Sequence, residues 1–433
     1  MSIQVLDTRV AGYFCELLPY HLLEPDPSTT TMEPTRQTPQ ETVDTSNFNP
    51  FFWRPPADPD KPALPYLPGF SIQICRHTPA PPYATDKELD DLGYQDRPSI
   101  HGDDLYSVTQ SEAVALNPPV EGVPPARTGT AHLTITSPIA IGAVRGAQVV
   151  ACTITLEDGH QFRACAKIYD PLYYNFQSTI GRCPQDCVRE ADDDYIAETW
   201  AYNFLEQKTD QAGSFAPKYY GSWTFTLLIT LKARGESIQR PVRLILLERL
   251  EGASIQGSRA QNNPARGSLT DSFHYPEEYR LEVLARAMDG YVKLKQAGIE
   301  QADFAGRNIL LVINEEPGVQ LEKMCSLILP RIVLVDYNNA YMRRDLSSDE
   351  LETRPVNPAQ EFWRNYLFRD IAGWVPGRWS DVKIQQEWLL RRFCGFDRQK
   401  LYRPVPQWML DHFAKLHPQG SDPLVDDDLS EAA

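Results

Sequence analysis

The sequence predicts an α+β fold in which a small antiparallel sheet precedes a larger, mainly helical region, behind a proline-rich extension. Runs rich in β-branched residues cluster between His132 and Leu250, and a turn at Glu157-Asp158-Gly159 joins two of them as in a hairpin. A later run, from Glu277 to Gly298, repeats its apolar residues at helical spacing instead. More than half of the 36 prolines fall before Arg127, where missing amide donors and a fixed φ disfavour regular structure.

Residues 24–50, rich in Thr, Pro and Asp, read as disordered. Phe51, Phe52, Trp53 and Tyr66 interrupt that composition, and aromatic side chains seek a surface to bury against, so part of the arm is expected to pack on the following domain. HLTITSPIAI, AQVVACTITL and QFRACAKIYD then form a meander of strands. DDDYIAETWAYNFLEQK reads as a helix whose acidic first turn suits the positive end of its dipole. KYYGSWTFTLLIT and RPVRLILLERL add two strands. In the long helix Leu281, Leu284, Ala285, Met288, Tyr291 and Leu294 share a face, and Gly298 suits its C-terminal cap. NILLVI and RIVLVD are short apolar strands, and DDDLSEAA is a solvated acidic tail. The expected division is an irregular extension at 1–130, a sheet-bearing unit at 131–250, a helical unit at 251–420 and a tail at 421–433.

Composition excludes several function classes. A formal charge of −16 over 433 residues, with a pI near 5.0, argues against nucleic acid or an anionic membrane as a partner, since both demand clustered Lys and Arg. Eight scattered cysteines make no disulfide framework and read as reduced thiols. Asp7, Arg9 and Glu16 interrupt the opening residues, so these do not form a secretion signal, and the chain is expected to be cytosolic or nuclear. Cys183-Pro-Gln-Asp-Cys187 has no second thiol or imidazole pair close behind it and reads as a loop rather than a zinc site. The aromatic-rich stretch from Glu361 to Phe393 reads as helical core.

Five polar residues stand at the boundaries of these elements. Lys167 lies on the third strand, opposite Ala166 and Ile168 in the pleat, an alternation that permits an inward-facing ammonium. Glu198 lies in the first helix. Asp303 and Asn308 are separated by four residues in QADFAGRNILLV, and Asp336 ends RIVLVD. Each has an ordinary explanation alone, as surface lysine, exposed helix carboxylate or turn residue.

In this order, however, they resemble the protein-kinase-like superfamily, which includes the aminoglycoside and choline phosphotransferases, and among its members the kinase-like proteins of fungi. The resemblance runs from about Leu133 to Ala340. It implies a bilobal protein-kinase-like fold, with a small antiparallel-sheet N-lobe and a larger helical C-lobe. It also implies ATP and Mg²⁺ as cofactors, and transfer of the γ-phosphate to a hydroxyl of an unidentified protein or small-molecule acceptor. By the same resemblance Lys167 contacts the α- and β-phosphates, Glu198 orients Lys167, and Asp303 aligns or deprotonates the acceptor hydroxyl. Asn308 and Asp336 hold the metal, because a hard cation takes oxygen ligands. Gly142 and Gly146 in IAIGAVRGAQVV stand where a loop would cover the phosphates, although a hairpin turn explains them equally well. The backbone near Glu248 and Leu250 would meet adenine.

The chain departs from the family at named positions. Gln301 stands where a His is usual two residues before the catalytic Asp, and Ala302 replaces an Arg or Gly. Asp336-Tyr337-Asn338 replaces Asp-Phe-Gly, and Ala340 brings the stretch closer to the small-molecule phosphotransferases. These departures support an alternative, a catalytically inactive pseudokinase that binds nucleotide or presents a surface.

Overall fold

The computed structural model describes residues 53–80, 104–123, 128–178, 183–262, 270–313, 321–342, 354–395, 398 and 400–416. The tract at 24–50, Phe51, Phe52 and the tail at 421–433 lie outside them. Six antiparallel strands come first, β1 (Ser71–Arg76), β2 (Thr130–Ala140), β3 (Gln148–Leu156), β4 (Gln161–Tyr169), β5 (Tyr219–Leu231) and β6 (Glu236–Glu248). They close into a barrel in the order β1-β2-β3-β4-β6-β5. Helix α1 (Gln110–Leu116) falls between β1 and β2, and α2 (Cys187–Lys208) between β4 and β5. Ala164, Ala166 and Ile168 alternate along β4 with no exposure, and Leu133 and Ile154 do likewise on the neighbouring strands, so one face of each strand fills the barrel.

The sequence anticipated five strands in this sheet; the sixth, β1, comes from within the proline-rich extension. SIQICR is half polar and its register partners on β2 lie about 60 residues away, so no local pattern announces it. β1 meets β5 through Cys75↔Thr224 and Arg76↔Trp223, and the Arg76 guanidinium lies 3.9 Å from the centre of the Trp223 ring. Arg76 Nη1 also donates to the Tyr220 carbonyl at 2.9 Å. At Gly221, φ is +102° and a Cβ would lie 1.7 Å from Arg76 Nη1, so the seam needs glycine there.

Aromatic residues of the arm pack on the barrel, as their composition suggested. Trp53 and Tyr66 are buried, and Tyr66 donates its hydroxyl to Asp170 Oδ2 at 2.5 Å. Asp170 also pairs with Arg240, and both are buried. α2 begins at Cys187 rather than Asp192, because the Asp186 carboxylate accepts from the Val188 and Arg189 amides. Cys183 and Cys187 are free thiols, and burial pushes the Cys187 thiol up to about 12, far from the thiolate that zinc requires.

The second half is mainly helical with short strands. β7 (Gly252–Ser254), α3 (Glu277–Gln296), β8 (Ile299–Glu300), β9 (Ile309–Val312), β10 (Lys323–Met324), β11 (Leu327–Ile328), β12 (Arg331–Leu334) and β13 (Tyr341–Met342) follow in order. β12-β9-β7 form one sheet, while β13-β8 and β10-β11 form two-stranded pairs. Gly298, at φ +106°, ends α3 and donates its amide to the Lys295 carbonyl. Helices at Pro358–Glu361, Leu367–Asp370, Val382–Phe393 and Gln407–Leu416 complete the core around Trp374 and Trp379. Among the described residues no helix is long and apolar enough to cross a membrane.

Candidate functional site

β4 turns Lys167 out of the barrel interior, toward α2. Its ammonium lies 2.5 Å from Glu198 Oε2 and 2.6 Å from Asp336 Oδ1. Glu198 is almost fully buried and also accepts from the Tyr169 hydroxyl at 2.6 Å and from the Tyr337 amide at 3.3 Å. Burial opposes the charge on Lys167, but the two carboxylates outweigh it and hold the ammonium above its usual range. Lys167 holds Asp336 below the ordinary carboxylate range, whereas burial lifts Glu198 above it in spite of Lys167. The difference follows exposure, since the Asp336 side chain is 37% exposed and that of Glu198 1%.

Asp336 reaches Lys167 because the chain leaves β12 in a left-handed turn, with φ +67° at Asp336. Asp tolerates this conformation better than most residues, and the turn is pinned from the other side by Gln301. Gln301 is fully buried; its Nε2 donates to the Asp336 carbonyl at 2.8 Å and to Val335 at 3.2 Å, and its Oε1 accepts the Asp303 amide at 2.9 Å. Ala302, at φ +64°, provides the bend that lets Gln301 reach its neighbour's amide.

The Asp303 to Asn308 loop is a closed unit. Asn308 Nδ2 donates to Asp303 Oδ2 at 2.8 Å and to the Asp303 carbonyl at 3.1 Å. Arg307 Nη2 reaches both Asp303 carboxylate oxygens, at 3.0 and 2.8 Å. Burial raises the Asp303 pKa, with Arg307 and Asn308 opposing it and Asp336 adding to it. Gln301 joins the two acidic positions, bonding the Asp336 carbonyl and the Asp303 amide. The Val335 amide donates to the Asn308 carbonyl at 2.9 Å, and β9 pairs with β12, so Asn308 and Asp336 stand at the same end of one small sheet.

The remaining predicted positions are placed differently. Gly142 and Gly146 do bracket the β2–β3 turn, but the Gly142 amide donates to Gln148 Oε1 at 2.8 Å and the Gly146 amide to the Tyr173 carbonyl at 3.2 Å. Glu248, at the end of β6, forms a two-pronged ion pair with Arg331 at 2.7 and 3.0 Å and accepts the Lys218 amide. Its amide donates to the Lys218 carbonyl. Arg331 holds its carboxyl below the usual range although burial opposes this. Glu248 thus ties the barrel to β12, and Leu250 lies just beyond the strand, half-buried.

Sequence reasoning passed over four contributors. Tyr169 lies two residues beyond Lys167, on the same face of β4, and Arg307 four residues beyond Asp303; both spacings were available as signals. Asp194 lies one helical turn before Glu198, accepts from Tyr174 Oη at 3.1 Å and Asn338 Nδ2 at 3.2 Å, and burial pushes it up to about 7. Gln148 shows no sequence signal for its role in the turn.

α2 is also held from outside by the arm. Asp192 Oδ2 accepts the Val120 amide at 2.7 Å, Trp200 Nε1 donates to the Ala80 carbonyl at 3.0 Å, and the His77 ring nitrogen Nδ1 lies 2.6 Å from the Tyr195 hydroxyl.

No family model and no curated protein matches the chain. A solved structure, described as the crystal structure of BubR1 kinase domain, is similar over 53% of this chain and 58% of that one, at 13% identity and a TM-score of 0.29. The chain thus spans a little over half of that neighbour's length, and a likeness this faint carries no argument on its own.

Proposed function

We propose that this chain has a bilobal kinase-like fold and is an ATP- and Mg²⁺-dependent phosphotransferase acting on a hydroxyl acceptor. One observation carries the reading: Lys167 is clasped between Glu198 and Asp336, and Gln301 joins Asp336 to the Asp303–Asn308 loop. Lys167 would meet the α- and β-phosphates with its position fixed by Glu198. Asp303 would align the acceptor hydroxyl and take its proton.

The donor set suits Mg²⁺. Among the described residues no three His, Cys, Asp or Glu side chains group so as to hold an ion by themselves. Asn308 spends its amide hydrogens on Asp303 and keeps its carboxamide oxygen, and Asp336 spends Oδ1 on Lys167 and keeps Oδ2. Two hard oxygens, one on a carboxylate held ionised, are what a hydrated Mg²⁺ shared with phosphates takes from a protein. Bound there, the cation would neutralise the charge of the transferred group.

The test is thermal denaturation with ATP, with and without Mg²⁺, on the parent chain and on Asp336→Ala. At a concentration one hundred times Kd, Mg·ATP should stabilise the parent by about 2.7 kcal/mol, and the variant should lose that shift. An unchanged parent would sink the reading.

The alternative is a pseudokinase that binds nucleotide without turnover. It is favoured by the Arg307 clamp on both oxygens of Asp303, which stabilises the carboxylate and weakens it as a general base. Turnover by the parent that Asp303→Asn abolishes would exclude it. Mg·ATP binding with no phosphate released or transferred across a panel of hydroxyl acceptors would favour it.

A further inference from the structure

The β2–β3 turn lies at the Lys167 end of the barrel, where Val149 pairs with Lys167, and offers a phosphate less than its glycines suggest. Gln148, fully buried, closes the turn on itself: its Oε1 takes the Gly142 amide, and its Nε2 donates to the Gly142 carbonyl at 2.9 Å and the Gly146 carbonyl at 2.8 Å. The Gly146 amide is bound to Tyr173. Gly146 has φ +90° and packs against the Tyr174 ring, so the turn is shaped by packing rather than left open for an anion. Between the two glycines stands Arg145, exposed to solvent. Its guanidinium acts electrostatically on Asp336, the carboxylate that Lys167 also pairs with. Arg145 thus stands in the turn that opens onto β3, whose Val149 pairs with Lys167, the partner of Asp336.

We propose that Arg145 grips the β- and γ-phosphates of a bound nucleoside triphosphate, in place of the two glycine amides that Gln148 and Tyr173 occupy. A guanidinium presents a planar fork of donors matched to phosphate oxygens, which a rigid, self-bonded turn cannot offer through its backbone. The inference rests on the nucleotide-binding reading above and adds that the turn recognises polyphosphate through a side chain.

The experiment compares Mg·ATP and adenosine binding by the parent chain, Arg145→Ala and Arg145→Lys. Arg145→Ala should weaken Mg·ATP about tenfold, as expected of one hydrogen-bonded charge pair, and leave adenosine binding unchanged. Arg145→Lys, a point charge without the fork, should fall between the two. Adenosine binding also serves as the folding control, since Arg145 is exposed. Equal Mg·ATP affinity in the parent and Arg145→Ala would overturn this inference while leaving the nucleotide-binding reading standing. Failure of the parent to bind Mg·ATP at all would overturn both.

Discussion

Gln301 binds the carbonyl oxygen of Asp336 at 2.8 Å while accepting the amide of Asp303 at 2.9 Å, so one buried carboxamide fixes the two acidic positions of the site relative to each other. Only a side chain with a donor and an acceptor separated by a short planar group does this. Gln301→Leu, close to isosteric, should leave two carbonyls and an amide without partners and cost about 3 kcal/mol in denaturant unfolding. Gln301→His keeps one donor and one acceptor and should recover part of that loss. A Leu variant as stable as the parent would remove Gln301 from this bridging role.

Lys167 serves two carboxylates, and its removal leaves both unpaired. Lys167→Met should cost about 3 kcal/mol at neutral pH, the scale for breaking a buried ion pair from one side. The sign with pH is set by the two carboxylates left behind. Without the ammonium, the already raised pKa of Glu198 rises further and that of Asp336 is no longer held down, so protonation relieves the variant. The gap between variant and parent should therefore narrow as pH falls from neutral toward the ordinary carboxylate range, about 4. A constant gap across pH, measured by chemical denaturation, would mean the loss is one of packing.

The acidic face of α2 gives a pH dependence of its own. Burial, with Asp194 and Asp193 adding to it, pushes Glu190 up to about 8, and burial pushes Asp194 up to about 7. Both folded-state values exceed those of the unfolded chain, so the native state holds these protons more tightly. Their contribution to stability is complete below the unfolded pKa values and is lost as pH rises through the folded ones. The parent should melt at a higher temperature near pH 6 than near pH 9, and Glu190→Gln should flatten that difference. Identical profiles for parent and variant would count against the assignment.

The range of each interaction decides how much of the fold and site was legible in the sequence. β2 to β4, α2 and α3 were readable because period-2 and period-3.6 patterns repeat locally. Asp303 and Asn308 were singled out by their four-residue separation between a long helix and an apolar strand, and Asp336 by its place at the end of a second apolar run, features that are local in the chain. β1 was not, since its hydrogen bonds are made to chain far away, in a segment whose prolines argue for irregular structure. Nor were the bonds that consume the Gly142 and Gly146 amides: Gln148 looks like any polar residue opening a strand, and its effect depends on a turn geometry that composition does not encode. Glu248 showed the same limit, because Arg331, which takes up its carboxylate, lies 83 residues away.

The arm offers a last test, which separates general stability from the positioning of Glu198. Tyr66 and Asp192 both satisfy buried polar groups between the extension and the barrel unit, but only Asp192 belongs to α2. Tyr66→Phe removes one hydroxyl from Asp170 without opening a large void and should cost about 1–2 kcal/mol. Asp192→Ala strands the Val120 amide and should cost a similar amount. Amide hydrogen exchange distinguishes them: protection along 190–200 should fall in Asp192→Ala and stay at the parent level in Tyr66→Phe, after allowance for equal global stability. Because the Lys167–Glu198 pair depends on where α2 lies, Asp192→Ala should also weaken Mg·ATP binding more than Tyr66→Phe does. If both variants lose α2 protection to the same extent, the arm contributes only to overall stability and the grip on α2 has no separate role.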